Sequence, residues 1–358
     1  MVKVASLFSQ ILHHFPRAEF AALVNKHDAE RNVKGFSSWS QLVAMMFCQF
    51  ARADSLREIC NGLKCCLGKL VHLGIKIAPN KSTLAYANQH RPAQLYQDLF
   101  HAAYAHFLQR GGFGQRKAKF RFKNKLLSHD STTISLCLSL FPWAQFRRAK
   151  GGVKVHTTLD HDSYMPVFVS ITTAKQHDLR AARILTLNPG SIIALDRAYN
   201  DYQLFALWTQ QGVFFVTRMK DNAVYRVVED RDLPKNRNII ADIYHDRWEI
   251  ELFFKALKQT LKIKTFVGTT ENALRVQIWT ALIAMLVLKW LHYLSMAGWS
   301  FANCAYMVRL NLFTYRDLND WLQDPYGVEP ITPIPDQLCL PLSALGQPRP
   351  EAKGGTST

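Results

Sequence analysis

The chain has 358 residues, 48% of them apolar, enough for two or three units with a sizeable buried core. Lys and Arg number 44 against 27 Asp and Glu, a formal net charge of +17, and such an excess favours polyanionic partners, nucleic acid above all. Seven cysteines without any C-x-x-C pair exclude a zinc-finger pattern and a disulfide framework, and the N-terminal MVKVASLFSQILHHF lacks the apolar run of a signal peptide.

Residues 1–110 read as an all-helical domain. Apolar residues recur at spacings of three and four, as in Leu42, Met45, Met46 and Phe50. Ser55 is placed to cap a helix through Leu56, Ile59 and Leu63, and Ser82 one through Leu84 and Ala87. Basic residues such as Lys26, Arg52, Arg57 and Arg91 run through this part, as solvated helix faces or as a DNA-binding surface. Residues 111–125, GGFGQRKAKFRFKNK, form a basic linker.

The texture changes after Lys125. Short β-like runs occur at Leu126–Thr132, Val153–Leu159, Pro166–Thr172, Ile192–Leu195 and Val213–Thr217. Helical runs fall between them at Asp178–Leu187 and Asp201–Gln211, with Gly212 ending the second. Three strands followed by strands alternating with helices predict an α/β domain, residues 126–265, with a mixed sheet flanked by helices. Residues 266–323 form a C-terminal helical region. Its run Val276–Met296 approaches membrane-spanning length, but Lys289 and His292 interrupt it, so a buried core helix is expected and no membrane partner. Residues 324–358 are rich in Pro and Gly and are expected to be disordered.

Three carboxylates stand out by their neighbours. Asp130 in LLSHDST lies at the end of a short apolar strand and Asp196 in SIIALDRAY directly after a buried one, where a side chain is held rigidly at the sheet rim. Glu251 lies in ADIYHDRWEIELFFKALKQTL, which reads as one continuous helix. On it Tyr244, Arg247, Glu251 and Lys258 fall in a stripe about 60° wide, beside an apolar face, while Glu249 falls outside. Phosphodiester cleavage through two metal ions needs such carboxylates, and oxygen donors suit Mg²⁺ or Mn²⁺. Arg247 and Lys258 are placed to hold a phosphate.

The spacing of Tyr244, Arg247, Glu251 and Lys258 resembles the Tyr-Arg-Glu-Lys signature of a group of bacterial insertion-sequence transposases. Trp248 and Ile250 resemble the run around its Glu, and Asp130-Ser-Thr and Asp196-Arg-Ala-Tyr199 resemble the motifs around its two Asp residues. Ala149–Asp160 and the Lys175–Asp178 stretch with His177 are similar to intervening segments. The resemblance implies a ribonuclease-H-like catalytic core with Asp130, Asp196 and Glu251 as catalytic metal ligands for two Mg²⁺ or Mn²⁺ ions. It implies terminal-phosphate contacts from Tyr244, Arg247 and Lys258. It further implies cleavage at element ends and strand transfer, by a homodimer on paired ends, in the bacterial cytoplasm at the nucleoid. One departure is visible: only 55 positions (251 − 196) separate Asp196 from Glu251. The β-rich insertion usual in this group is shortened to a remnant at about 221–240. That departure motivates a second reading, a shortened derivative that binds DNA or inhibits transposition without cutting. A generic ribonuclease-H-like nuclease is disfavoured by the Tyr-Arg-Glu-Lys spacing.

Overall fold

The computed structural model describes residues 5–31, 33–66, 70–110, 113, 119–148, 150–227, 229, 239–261, 263 and 265–330. Residues 111, 112 and 114–118 of the expected linker, half of the expected insertion remnant (228 and 230–238) and the tail from 331 onward lie outside the described residues.

Six helices come first: α1 (Leu7–His13), α2 (Arg17–Lys26), α3 (Ser38–Ala51), α4 (Leu56–Lys64), α5 (Lys81–His90) and α6 (Gln94–Gln109). Ser55 caps α4 as its sequence predicts. Its hydroxyl accepts from the Glu58 N–H at 3.2 Å, and the Glu58 carboxylate in turn takes the Asp54 N–H at 2.8 Å. Ser82 does not cap: α5 begins one residue earlier, at Lys81, with Asn80 in the N-cap place. Helix α3 is buried around its whole circumference from Ser38 to Phe50, because it lies between other helices rather than on a surface.

One mixed sheet follows, built from β1 (Leu126–Leu136), β2 (Gln145–Arg147), β3 (Lys150–Asp160), β4 (Met165–Thr173), β5 (Ile192–Leu195) and β6 (Phe214–Val216). The order is β2-β3-β1-β5-β6, with β4 also paired to β3. The pairs β1–β3 and β3–β4 are antiparallel, whereas β1–β5 and β5–β6 are parallel. This mixed sheet flanked by helices fits a ribonuclease-H-like core. Helices α7 (Asp178–Arg183) and α8 (Tyr202–Gln210) follow β4 and β5, and Gly212 takes the left-handed conformation (φ 70°) just past α8. Helix α9 (Ile239–Asp246) packs on β5 and β6, and α10 (Glu249–Gln259) on β1.

Strand alternation sorts the sheet residues between its faces. Leu127, Ile193 and Leu195 pack with Leu204, Phe205 and Trp208 of α8. Leu126 and Ala194 point the other way and pack with Phe120 and Ile243 of α9. The chain closes with α11 (Glu271–Leu294), α12 (Phe301–Asn311) and α13 (Leu318–Gln323). Helix α11 is the one described helix long and apolar enough to cross a membrane, and it is 89% buried within the protein. It packs against α3, α5, α6, α10, α12 and α13, and Lys289 ends its reach on the Tyr164 carbonyl. Helices from both sides of residues 110 and 266 therefore share one hydrophobic core, which also takes in Ile134, Val153 and Ile171 of the sheet.

Candidate active site

Two of the three carboxylates are brought together by strand register. The parallel pairing of β1 with β5 runs from Leu126–Ile192 to His129–Leu195 and stops there. The next residues on the two strands are Asp130 and Asp196. Each continues the alternation that turns Leu126 and Ala194 toward α9 and α10, so both belong to that face. Asp130 differs from expectation in one respect. It does not end its strand: β1 continues to Leu136, paired with β3 throughout, and only the β5 neighbour is lost at that point. The side chain accordingly sits where the sheet splits open, half-buried, its Oδ1 accepting from the Ser131 N–H at 2.7 Å.

The third carboxylate comes from α10. The continuous helix expected from Tyr244 to Lys258 is interrupted: α9 ends at Asp246 and α10 begins at Glu249. Through the junction, bonds from Trp248, Ile250 and Glu251 reach back three residues, to the carbonyls of His245, Arg247 and Trp248. That tighter winding turns the chain while keeping these three bonds. The apolar period runs on unbroken across it, which is why the sequence does not reveal it. Arg247 at the junction still reaches both neighbours. Its guanidinium lies 3.4 Å from Asp130 Oδ2 and 3.2 Å from Glu251 Oε1, with the Tyr244 ring beneath it at 5.5 Å. Lys258, further along α10, donates to the Thr132 hydroxyl and to the Thr133 carbonyl of β1. All six residues singled out in the sequence thus lie on one side of the sheet, around the opened edge of β1.

Burial pushes the Asp130 carboxyl up, to about 6, and the nearby Asp196 and Glu251 charges add to that. The Ser131 N–H and Arg247 oppose it. Burial alone would lower the Arg247 guanidinium, but Asp130, Tyr244 and Glu251 hold it above its ordinary value. This crowding of carboxylates around one cation is the electrostatic condition of a divalent-metal site. The donors are all carboxylate oxygens, the kind a hard cation takes, so the residues fit such an ion in chemistry. Among the described residues, no three His, Cys, Asp or Glu side chains converge tightly enough to form a ligand set as they stand. Arg247 holds the central place between Asp130 and Glu251.

A second polar group on the opposite face of β1 was not legible in the sequence. Ser131 donates to Asp178 Oδ1 at 2.7 Å, Lys154 reaches the same carboxylate at 3.0 Å, and the buried His156 ring lies 3.6 Å from it. Ser131 and His156 are register partners across β1 and β3, so only knowledge of the pairing would have joined them. These contacts fix β1 from behind at the residue next to Asp130.

Residues 121–287, which include all six site positions, match the family model described as the transposase DDE domain, and residues 3–76 match a domain of unknown function (DUF4372). The first of these matches spans 167 of the 358 residues (287 − 121 + 1). Among curated proteins it is similar to a probable transposase for insertion sequence element IS5377 of Geobacillus stearothermophilus, 29% identical over 225 residues. That match takes in 50% of this chain and 59% of the relative's length. It is also similar to a provisionally named transposase, y4zB, of Sinorhizobium fredii, 27% identical over 60% of this chain and 72% of that one. Among solved structures, a piggyBac transposase synaptic complex with hairpin DNA aligns over 88% of this chain and 80% of its own, at 8% identity and a TM-score of 0.41.

Proposed function

We propose that this protein is a DDE transposase that cuts DNA at the ends of an insertion sequence and joins the freed ends to target DNA. The observation that supports the reading is the register that stops β1–β5 pairing one residue before Asp130 and Asp196, on the sheet face that α9 and α10 cover. In this reading Asp130, Asp196 and Glu251 hold two Mg²⁺ or Mn²⁺ ions. When bound, the ions activate the attacking water or 3′-hydroxyl and stabilise the leaving oxygen.

The chain's own residues have separable tasks. The three carboxylates are set on a strand interior, a strand end and the first turn of a helix, and so are oriented before DNA arrives. Arg247 bridges Asp130 and Glu251 in the resting protein and, once displaced, is in place to pair with a phosphate together with Tyr244 and Lys258. The Tyr-Arg-Glu-Lys spacing and the short interval between Asp196 and Glu251 support membership of the corresponding transposase group with its insertion reduced. We assign the N-terminal helices to DNA contact, the working unit to a homodimer on paired ends, and its place to the cytoplasm at nucleoid DNA.

The test is incubation of the full chain with a labelled duplex carrying the element's own end and Mn²⁺. A nick at the terminus that vanishes in Glu251→Gln, Asp130→Ala and Asp196→Ala is expected, with DNA binding kept. Binding without any nick would favour the non-cutting derivative, and nicking that survives all three substitutions would remove the site assignment.

A further inference from the structure

Away from the carboxylates, a cavity of about 240 Å³ opens where the ends of α3 and α10 meet α11 and α12. Its polar lining holds two cations, Arg52 and Arg309, with the neutral Gln49, Gln259, Thr260 and Tyr306, over an apolar wall that includes Phe50, Leu261 and Leu288. No acidic residue lines it, and neither guanidinium has a carboxylate partner among the described residues. The Arg52 Nε is buried and has no hydrogen-bond acceptor among the described residues. Arg52 also sits at the C-cap of α3 with φ 58°, a left-handed place where glycine is the ordinary choice. Arg309 is braced over the Tyr306 ring at 5.8 Å. The C-terminal ends of α3 and α10 offer partial negative charge, roughly half an elementary charge each, against two full cations. An uncompensated positive charge against an apolar wall favours an oxyanion that can accept from both guanidinium groups.

We propose that the Arg52–Arg309 cavity is a second phosphate-binding site, filled by a phosphodiester of the nucleic-acid strand. It lies at the far end of the helix that carries Glu251. Thr260 is nine positions beyond Glu251 (260 − 251), roughly 13 Å along the axis. That distance corresponds to about four nucleotides of rise along one strand. The DNA source rests on the proposed function, whereas the phosphate chemistry does not.

The experiment compares the full-length parent with the double variant Arg52→Gly, Arg309→Gln. Glycine accepts the left-handed conformation, so Arg52→Gly alone is expected to melt at or above the parent, which separates lost binding from lost folding. Binding of a short duplex is followed by fluorescence anisotropy across a salt series. Inorganic phosphate is added separately as a probe in thermal denaturation. The expected result is a fall of about one in the slope of log affinity against log salt, and a several-fold loss of affinity. Phosphate is expected to stabilise the parent and not the variant. Nicking of the same duplex in Mn²⁺ is scored separately from binding, so failure of nicking and failure of this site are distinct outcomes. An unchanged slope with phosphate protection lost would assign the cavity to a free phosphate and overturn the DNA form. An unchanged slope with unchanged phosphate response would overturn the site altogether.

Discussion

Arg247 is the residue on which the resting site depends. Its side chain is 11% exposed and bridges Asp130 and Glu251. Removing it leaves the buried Asp130 carboxylate facing two like charges. Arg247→Gln is therefore expected to cost about 2 kcal/mol in EDTA. Mn²⁺ should recover more of that loss than it adds to the parent. Thermal denaturation with and without the ion reads both, and equal metal responses in the two proteins would show that Arg247 does not hold the cation's place.

His156 gives a separate, pH-dependent signal. Burial lowers its imidazole to about 4, with Lys154 adding to the effect and Asp178 opposing it. The unfolded chain takes this proton near pH 6.5 and the folded chain does not. The stability is therefore full above 6.5 and is lost as pH falls toward 4, by up to about 3 kcal/mol. Urea midpoints at pH 7 and pH 5 should separate less in His156→Gln than in the parent. An identical separation would place the titration elsewhere. Neither residue's environment was readable in advance. Spacing placed Arg247 beside Glu251, but its reach to Asp130 depends on β1 lying across the helix, and His156 meets Asp178 only through strand pairing.

At the level of elements, local chemistry predicted most of what exists and little of where it stops. The β-branched runs at Ile192–Leu195 and Val153–Leu159 are strands, and Asp201 caps α8 through the Leu204 N–H. Strand β1 outruns its expected end because Thr133 and Ser135 are polar yet still paired with β3. The break between α9 and α10 is hidden because Ile243, Ile250, Phe253 and Leu257 all remain buried on either side of it. Helix α11 shows the opposite case, a segment whose burial was legible from Lys289 and His292 but whose neighbours were not. Leu282 lies at its centre, fully buried. Leu282→Ala is expected to cost about 2–5 kcal/mol. The loss should lower protection from hydrogen exchange in α3 and α6 as well as in α11, since the three share a core. Loss confined to α11 would mean that the helices around it are held independently.

Across the whole molecule, the carboxylate site depends on two kinds of support. The sheet sets Asp130 and Asp196 side by side, while the helical body positions α10 and with it Glu251 and Lys258. Hydrophobic periodicity indicated that these helices have buried faces, but a buried face does not name its partner, so the union of residues 7–107 with 250–322 in one core was not visible from the sequence. That union has a consequence for synthesis. A ribosome releases the first six helices long before it reaches Glu271, so their apolar faces must wait for α11 with the sheet domain still emerging. A transcript broken before that point would yield a chain whose first six helices lack the partner that fills their shared core.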